Sequence, residues 1–214
     1  GSYPELLTLG YLRNQRLVDN IEDIIAIQVD WDVDAVAVTT KQNKPDIDNL
    51  LSKKTVTSGC GQGTMFGHVM ESLSELEVQC PSFSADSIYQ VLNALSEHNE
   101  MYKKAGAVHG CALCSSKQID IFVEDVGRHN AVDAISGWMW LNDISGDDKV
   151  FYTTGRLTSE MVIKVAQMQV PLLLSRSGVT EMGLRLAQQI GIGMVARAKG
   201  RHFLVYNGQQ QFTP

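Results

Sequence analysis

Residues 24–40 (IIAIQVDWDVDAVAVTT) alternate apolar and polar positions, with Ile25, Ile27 and Val29 followed by Val36 and Val38. A period of two marks a strand with one covered face, and the acidic run between Asp30 and Asp34 predicts a turn, so this stretch predicts a β-hairpin. Ahead of it, Leu6, Leu9 and Leu12 follow the spacing of a short amphipathic helix. Ser2, Tyr3, Pro4 and Glu5 read as its capping box, with Ser2 as the N-cap, Glu5 reaching back and Pro4 tolerated in the first turn. Residues 41–54 are polar and predict a loop. Ser84 predicts the start of a helix over 85–104, with Ile88, Val91, Leu92 and Leu95 on one face, His98 solvated on its polar part and Gly106 as the stop.

The second half repeats one pattern. Residues 118–124 (QIDIFVE) form an apolar run; Asp125, Gly127, Arg128 and His129 follow as a charged turn; residues 130–141 then show helical spacing. Residues 150–153 and 172–175 predict two more strands, followed by turns carrying Arg156 and Arg176 and by helices opening near Thr158 or Ser159 and near Thr180. Residues 194–208 predict a strand, a basic turn over 199–201 and a last strand. Right-handed crossovers would place these turns at one edge of a sheet, where open α/β folds bind ligands. Arg128, Arg156 and Arg176 in equivalent turns therefore predict an anion site, for a phosphorylated molecule such as a nucleotide. Neither a GxxxxGK[ST] loop nor a dinucleotide glycine fingerprint is present.

The chain has 214 residues with a net charge of −6 and a pI near 5.3, which argues against a nucleic-acid binder. No apolar run approaches the ~18–20 residues of a membrane span, and no secretory signal is visible, so a cytoplasmic protein with reduced thiols is expected. Its four cysteines are too sparse for a disulfide scaffold. Cys60 sits among Gly59, Gly61 and Gly63, a setting that suits either a mobile thiol visiting two partners or a plain flexible loop. Cys111 and Cys114 form a CxxC pair after His109. Their spacing among Ala and Leu predicts a buried helix face, with a redox pair or a metal site as alternatives. His109 is open to reading as a cap, a base or a ligand.

With the Cys60 stretch and EDVGRHNAVD (124–133) in hand, the sequence resembles the formate dehydrogenase accessory sulfurtransferases, the FdhD family. The resemblance rests on LLTLGYL (6–12), SGCG (58–61), AGAVHGCAL (105–113), EDVGRHNAVD, TTGRLTSEMV (153–162), SRSGVTEMGLRLA (175–187) and RHFLVYNG (201–208). It implies a cytidine-deaminase-like α/β/α sandwich with a mixed sheet, preceded by a smaller N-terminal region. The expected divisions are a helix and hairpin region over 1–56, a cysteine loop over 57–82 and an α/β core over 83–214. It implies that a cysteine desulfurase hands persulfide sulfur to Cys60. Cys60 then passes it to the molybdenum or tungsten bis-guanine-dinucleotide cofactor needed by the formate dehydrogenase catalytic subunit. Phe203, Leu204, Val205, Tyr206, Asn207 and Gly208 match the family's cofactor-binding stretch, and Arg128, Arg156, Arg176 and His129 are placed with it by the turn argument. Asp125 and His129 would orient the arginine turn or the substrate. A homodimer, no permanent cofactor and no bound metal are also implied.

The sequence departs from the family twice. The family's loop reads Cys-Gly-x-Cys-Gly, whereas here Gly63 holds the second thiol's place. The family also has an N-terminal strand segment ahead of residues 6–12, so this chain is expected to be a trimmed form. The missing thiol makes a second reading relevant, a cofactor chaperone without sulfur chemistry. A zinc hydrolase of deaminase type is a third, but after His109 come Gly110 and Cys111, so the His-x-Glu of that pattern is absent, and no proline precedes Cys111.

Overall fold

The computed structural model describes residues 3–41, 76–98, 104, 106–115 and 118–214, and the backbone of 54–57 and 63–66. Helix α1 (Pro4–Asn14) begins with Pro4 inside its first turn, where a fixed φ and a missing N–H cost nothing. Its N-cap is therefore Tyr3, without a side-chain cap, and not Ser2, which lies outside the described residues. Strands β1 (Ile24–Asp30) and β2 (Ala35–Thr40) pair antiparallel as the alternation predicts. A register shift between Ile24 and Ala26 turns Ile25 outward, leaving it 62% exposed, while Ile27, Val29, Val36 and Val38 keep the covered face.

Strands β3 (Lys54–Thr57) and β4 (Gly63–Phe66) pair antiparallel, with Thr57 opposite Gly63. Cys60 and most of the expected loop over 41–54 lie outside the described residues. After the two-residue β5 (Phe83–Ser84), Ser84 caps α2 (Ala85–Ser96). The Ser87 N–H donates to Ser84 Oγ at 3.1 Å and the Ser84 N–H to Ser87 Oγ at 3.0 Å. The helix is shorter than expected, closing at Ser96 with Glu97 as C-cap; residues 99–103 lie outside the described set.

The core is a six-stranded mixed sheet in the order β11-β10-β9-β8-β6-β7, built from β6 (His109–Cys114), β7 (Ile119–Asp125), β8 (Val150–Thr153), β9 (Leu172–Ser175), β10 (Gly193–Lys199) and β11 (His202–Asn207). Strands β8, β9 and β10 run parallel, and β6 is antiparallel to both its neighbours, β7 and β8. The last strand, β12 (Phe212–Thr213), pairs with β5. One face of the sheet is covered by α3 (Arg128–Leu141), α4 (Ser159–Gln167) and α5 (Glu181–Ile190), whose Ile135, Met161 and Ala187 meet Leu113, Phe151 and Leu173. The other is covered by α2, whose Ile88, Val91 and Leu95 meet Ala112, Tyr152 and Leu174. This is the expected three-layer α/β/α class.

The CxxC segment is a strand and not a helix. A short apolar run carries no period that separates the two, and pairing with β7 and β8 decides it. On a strand, positions three apart face opposite ways. Cys111 accordingly lies in the α3 layer and Cys114 in the α2 layer.

Candidate functional site

Three strands end with the same device. At the end of β7, Asp125 Oδ1 accepts from the Gly127 N–H at 2.9 Å and from Asn130 Nδ2 at 3.0 Å. At the end of β8, Thr153 Oγ1 accepts from the Gly155 N–H at 3.0 Å. At the end of β9, Ser175 Oγ accepts from the Ser177 N–H at 2.9 Å and donates to the Gly155 carbonyl at 2.6 Å. A short polar side chain catching the N–H two residues on turns the backbone sharply and leads it into the next helix. Strands β7 and β8 are both antiparallel to β6, and β9 is parallel to β8, so all three turns gather at one sheet edge. The start of β6 joins them, with His109 opposite Asp125.

The three arginines share that edge without converging. Arg128 is the first residue of α3 and not a turn residue, because the Asp125 bonds let the helix start directly after Gly127. Its side chain lies over Gly155, where an added Cβ would come within 2.8 Å of Arg128 Cδ. Arg128 is only 8% exposed, and its Nε and Nη2 are buried without a hydrogen-bond partner. Arg156 is exposed. Arg176, whose N–H donates to the Thr153 carbonyl at 3.2 Å, lines a cavity of about 140 Å³ with Leu95 of α2, Tyr152 and Lys199. That cavity is on the face away from α3.

Behind Arg128 runs a buried polar chain that the motifs did not announce. Asn14 of α1 donates to Asp133 Oδ1 at 2.7 Å and accepts from Ser136 Oγ at 3.0 Å. Asp133 Oδ2 holds Lys164 Nζ at 2.7 Å, and Lys164 is 4.0 Å from Glu160. Glu160 Oε2 in turn lies 3.0 Å from His129 Nε2, though not aligned as a hydrogen bond. Burial pushes the Glu160 carboxyl above the usual range. Burial, helped by the Lys164, Arg128 and His109 charges, pushes the His129 imidazole down, so it is neutral at pH 7.

A base whose folded pKa is depressed supplies stability above its unfolded pKa, about 6.5 for histidine, and loses it as pH falls. Between pH 7 and 5 His129 is therefore expected to account for about 1–2 kcal/mol of acid destabilisation. His129→Gln should flatten that part of a plot of unfolding free energy against pH. An unchanged slope would refute the assignment.

The described thiols are not activated. Cys111, which donates to Thr153 Oγ1 at 3.3 Å, is pushed up to about 12 by burial. Cys114 is likewise pushed up to about 12 by burial. Cys80 is half-buried and shifted the same way by burial. Among the described residues no group of three or more His, Cys, Asp or Glu is placed to hold a metal, and none of the helices is long and apolar enough to cross a membrane.

The stretch expected to bind the cofactor is β11 and its exit. Leu204 is exposed, while Phe203 and Val205 pack on the α2 layer. Tyr206 packs toward the other layer, and its hydroxyl accepts from Arg197 Nε at 3.2 Å. Asn207 Nδ2 donates to the Ile192 carbonyl at 2.7 Å. Asn207 is opposite Met194, at the start of β10, so it and Gly208 lie at the sheet end away from Arg128. They line a cavity of about 470 Å³ with Cys80, Gln79 and Gln188. The structure brings Arg128, His129, Arg156 and Arg176 to one edge, and adds Thr158, Glu160, Lys164 and Asp133 to it. It does not bring Asn207 and Gly208 there.

Fold and edge together define a three-layer α/β protein with three arginines at one sheet edge. The profile of the FdhD/NarQ family matches residues 1–213. The chain is 30% identical over 201 residues to the sulfur carrier protein FdhD of Wolinella succinogenes, covering 92% of this chain and 69% of that one. To the sulfur carrier protein FdhD of Bacillus pumilus it is 27% identical, with coverages of 97% and 79%. A crystal structure from Desulfotalea psychrophila, described as a formate dehydrogenase accessory protein, superposes with a TM-score of 0.75 at 25% identity, covering 98% of this chain and 80% of that one. This chain belongs to the FdhD/NarQ family.

Proposed function

We propose that this protein is a sulfur carrier that serves formate dehydrogenase, with Cys60 as the carrying thiol. The observation that carries the reading is the family match along residues 1–213, with relatives named as sulfur carrier proteins. Of the four cysteines, three are buried or half-buried and held protonated by burial. That leaves Cys60, in its glycine-rich stretch, as the candidate nucleophile.

In the loading step the Cys60 thiolate attacks the terminal sulfur of a cysteine desulfurase persulfide. A new S–S bond forms on Cys60, and the desulfurase cysteine leaves as a thiolate. The acceptor is the molybdenum or tungsten bis-guanine-dinucleotide cofactor, a polyanionic substrate. Arg128, Arg156, Arg176 and His129 would receive its charged parts, and residues 203–208 its more distant ones. Arg128 supports this most directly, since a buried guanidinium edge without a partner is costly unless a ligand uses it. The protein would work in the cytoplasm, as a homodimer.

Incubation with a cysteine desulfurase and cysteine, followed by intact-mass spectrometry, should give a species about 32 Da heavier that a reductant removes. Cys60→Ala should abolish it. Loading that persists in Cys60→Ala would dismiss Cys60 as the carrier. Formate dehydrogenase maturation that survives this variant would favour a cofactor chaperone.

A further inference from the structure

At the end of the helical layer remote from Arg128, a cavity of about 360 Å³ opens between the closing turns of α1, α3 and α4. Arg128 opens α3 and Trp140 stands in its last turn, so at ~1.5 Å per residue the two are about 18 Å apart along the helix. The polar lining is Arg13, Arg16 and Asp19 beyond α1 or at its end, with Gln167 and Gln169 at the end of α4. Trp140, Val18 and Leu76 form the apolar wall. Both ends of the Gln167 amide, Nε2 and Oε1, are buried without a hydrogen-bond partner among the described residues. Such a cost persists where a ligand offsets it.

Two lining residues also hold a left-handed backbone, Arg16 at φ 51° and Gln169 at φ 58°. Each follows a helix C-cap, Gln15 or Met168, where glycine is the usual occupant. At the same turn α5 uses Gly191, and α3 uses Asp143, a residue type that tolerates this region. Gln169 offsets part of its strain by donating from Nε2 to the Ala166 carbonyl at 3.2 Å. The Arg16 side chain is exposed and points to another use. A basic side chain at a helix C-terminus ordinarily serves the last carbonyls. Here backbone N–H groups serve them already: Arg16 donates to Arg13 at 2.9 Å, Leu17 to Leu12 at 2.9 Å and Val170 to Val165 at 3.2 Å. Arg13 spends one N–H on the Ser136 carbonyl at 3.2 Å, and a guanidinium carries several more. Burial disfavours the Arg13 charge, a cost that an anion in the cavity would offset.

We propose that this cavity is a second ligand site, for a carboxylate carried beside an amide group and an apolar body, as at a peptide C-terminus or in a small N-acyl amino acid. Arg13 and Arg16 take the carboxylate, the strongest kind of charge-assisted pairing. The Gln167 amide supplies one donor and one acceptor, which match the C=O and N–H of the ligand's own amide. Trp140, Val18 and Leu76 cover the apolar part. Two guanidiniums less the one carboxylate of Asp19 leave a lining charge of +1, which suits a single carboxylate better than a doubly charged phosphate. The volume lies near the lower end of the ligand-pocket range of about 300–1,000 Å³, enough for one terminal residue and its amide. The site is separate from the sheet edge that holds Arg128 and stands without the cofactor reading.

N-acetyl-phenylalanine is the small probe, because its ring can stack on Trp140. An acetylated pentapeptide ending in phenylalanine is the long probe, and N-acetyl-phenylalaninamide, without the carboxylate, is the control. Calorimetry on the whole protein should show the acid binding at least 10-fold more tightly than the amide control. Arg16→Gly should weaken binding at least 10-fold while raising the melting temperature of the free protein, because glycine relieves the left-handed backbone. Gln167→Met fills the same space and should weaken binding several-fold, again with a higher melting temperature, because no buried amide is left unpaired. A merely structural role for either side chain would lower the melting temperature and leave affinity unchanged. A pentapeptide that binds more tightly than the small acid would make the natural ligand a chain end, and equal affinities would make it a small molecule. No binding of either probe to the folded parent, equal binding of acid and amide, or affinity unchanged in both variants would overturn the site. Sulfur loading on Cys60 is read separately by mass, so the carrier role stands or falls independently.

Discussion

Lys164→Met is expected to lower the unfolding free energy by about 3–5 kcal/mol, the loss typical of removing one partner of a buried ion pair. Lys164 is 3% exposed and its ammonium is 2.7 Å from Asp133 and 4.0 Å from Glu160. Methionine fills the space but leaves Asp133 with Asn14 alone, and Glu160 with no cation on its own helix. Both carboxyls must then ionise at a cost or take up protons. Asp133→Asn in the Lys164→Met background should recover much of the loss, since it removes the stranded charge. Urea unfolding of the parent, both single variants and the double variant measures this. A loss below about 1 kcal/mol in Lys164→Met would place the pair in the weak, surface-like class.

The second large effect is steric. A Cβ on Gly10 would lie 1.7 Å from the Asp133 carbonyl oxygen, and one on Gly137 would lie 1.9 Å from the Leu6 carbonyl oxygen. The backbones of α1 and α3 thus touch directly, and no side chain can rotate away to make room. Gly10→Ala is expected to cost about 3 kcal/mol or more, at the upper end for overpacking, because one helix must lift off the other. The lift would also pull Asn14 from Asp133 and so weaken the chain that ends at His129. Faster amide exchange across α1 and a lower melting temperature are the readouts. Gly178→Ala is the control: nothing lies within 4 Å of its Cβ, and the change should stay within about 0.5 kcal/mol. Equal melting temperatures for the two variants would contradict the packing described.

These two cases show where the sequence was readable. LLTLGYL drew attention to Gly10 as part of a motif, but its purpose lies in α3, more than a hundred residues away. Asp133 and Glu160 were likewise inside quoted motifs and Lys164 lay two residues beyond one, and only the Glu160–Lys164 spacing had a local meaning. The bond that selects Asp133 for Lys164 spans 31 positions and the one from Asn14 spans 119. Contacts at such separations leave no periodic trace.

What the chain alone determined was whatever neighbouring residues settle among themselves. Alternation drew the hairpin of Ile27, Val29, Val36 and Val38; Ser84 marked the entry of α2; the motifs marked the family and the strand–turn–helix order. Pairing and layering decided the rest. Only β6, inserted antiparallel between β7 and β8, could make the CxxC segment a strand and send its thiols to opposite faces. Only the packing of α2 against one face and α3 against the other could part Arg176 from Arg128. Only the direction of β11 could carry Asn207 to the far end of the sheet. A residue's local pattern sets which element it joins, but the side chains it meets depend on which elements bury one another, and that free energy belongs to the assembled core.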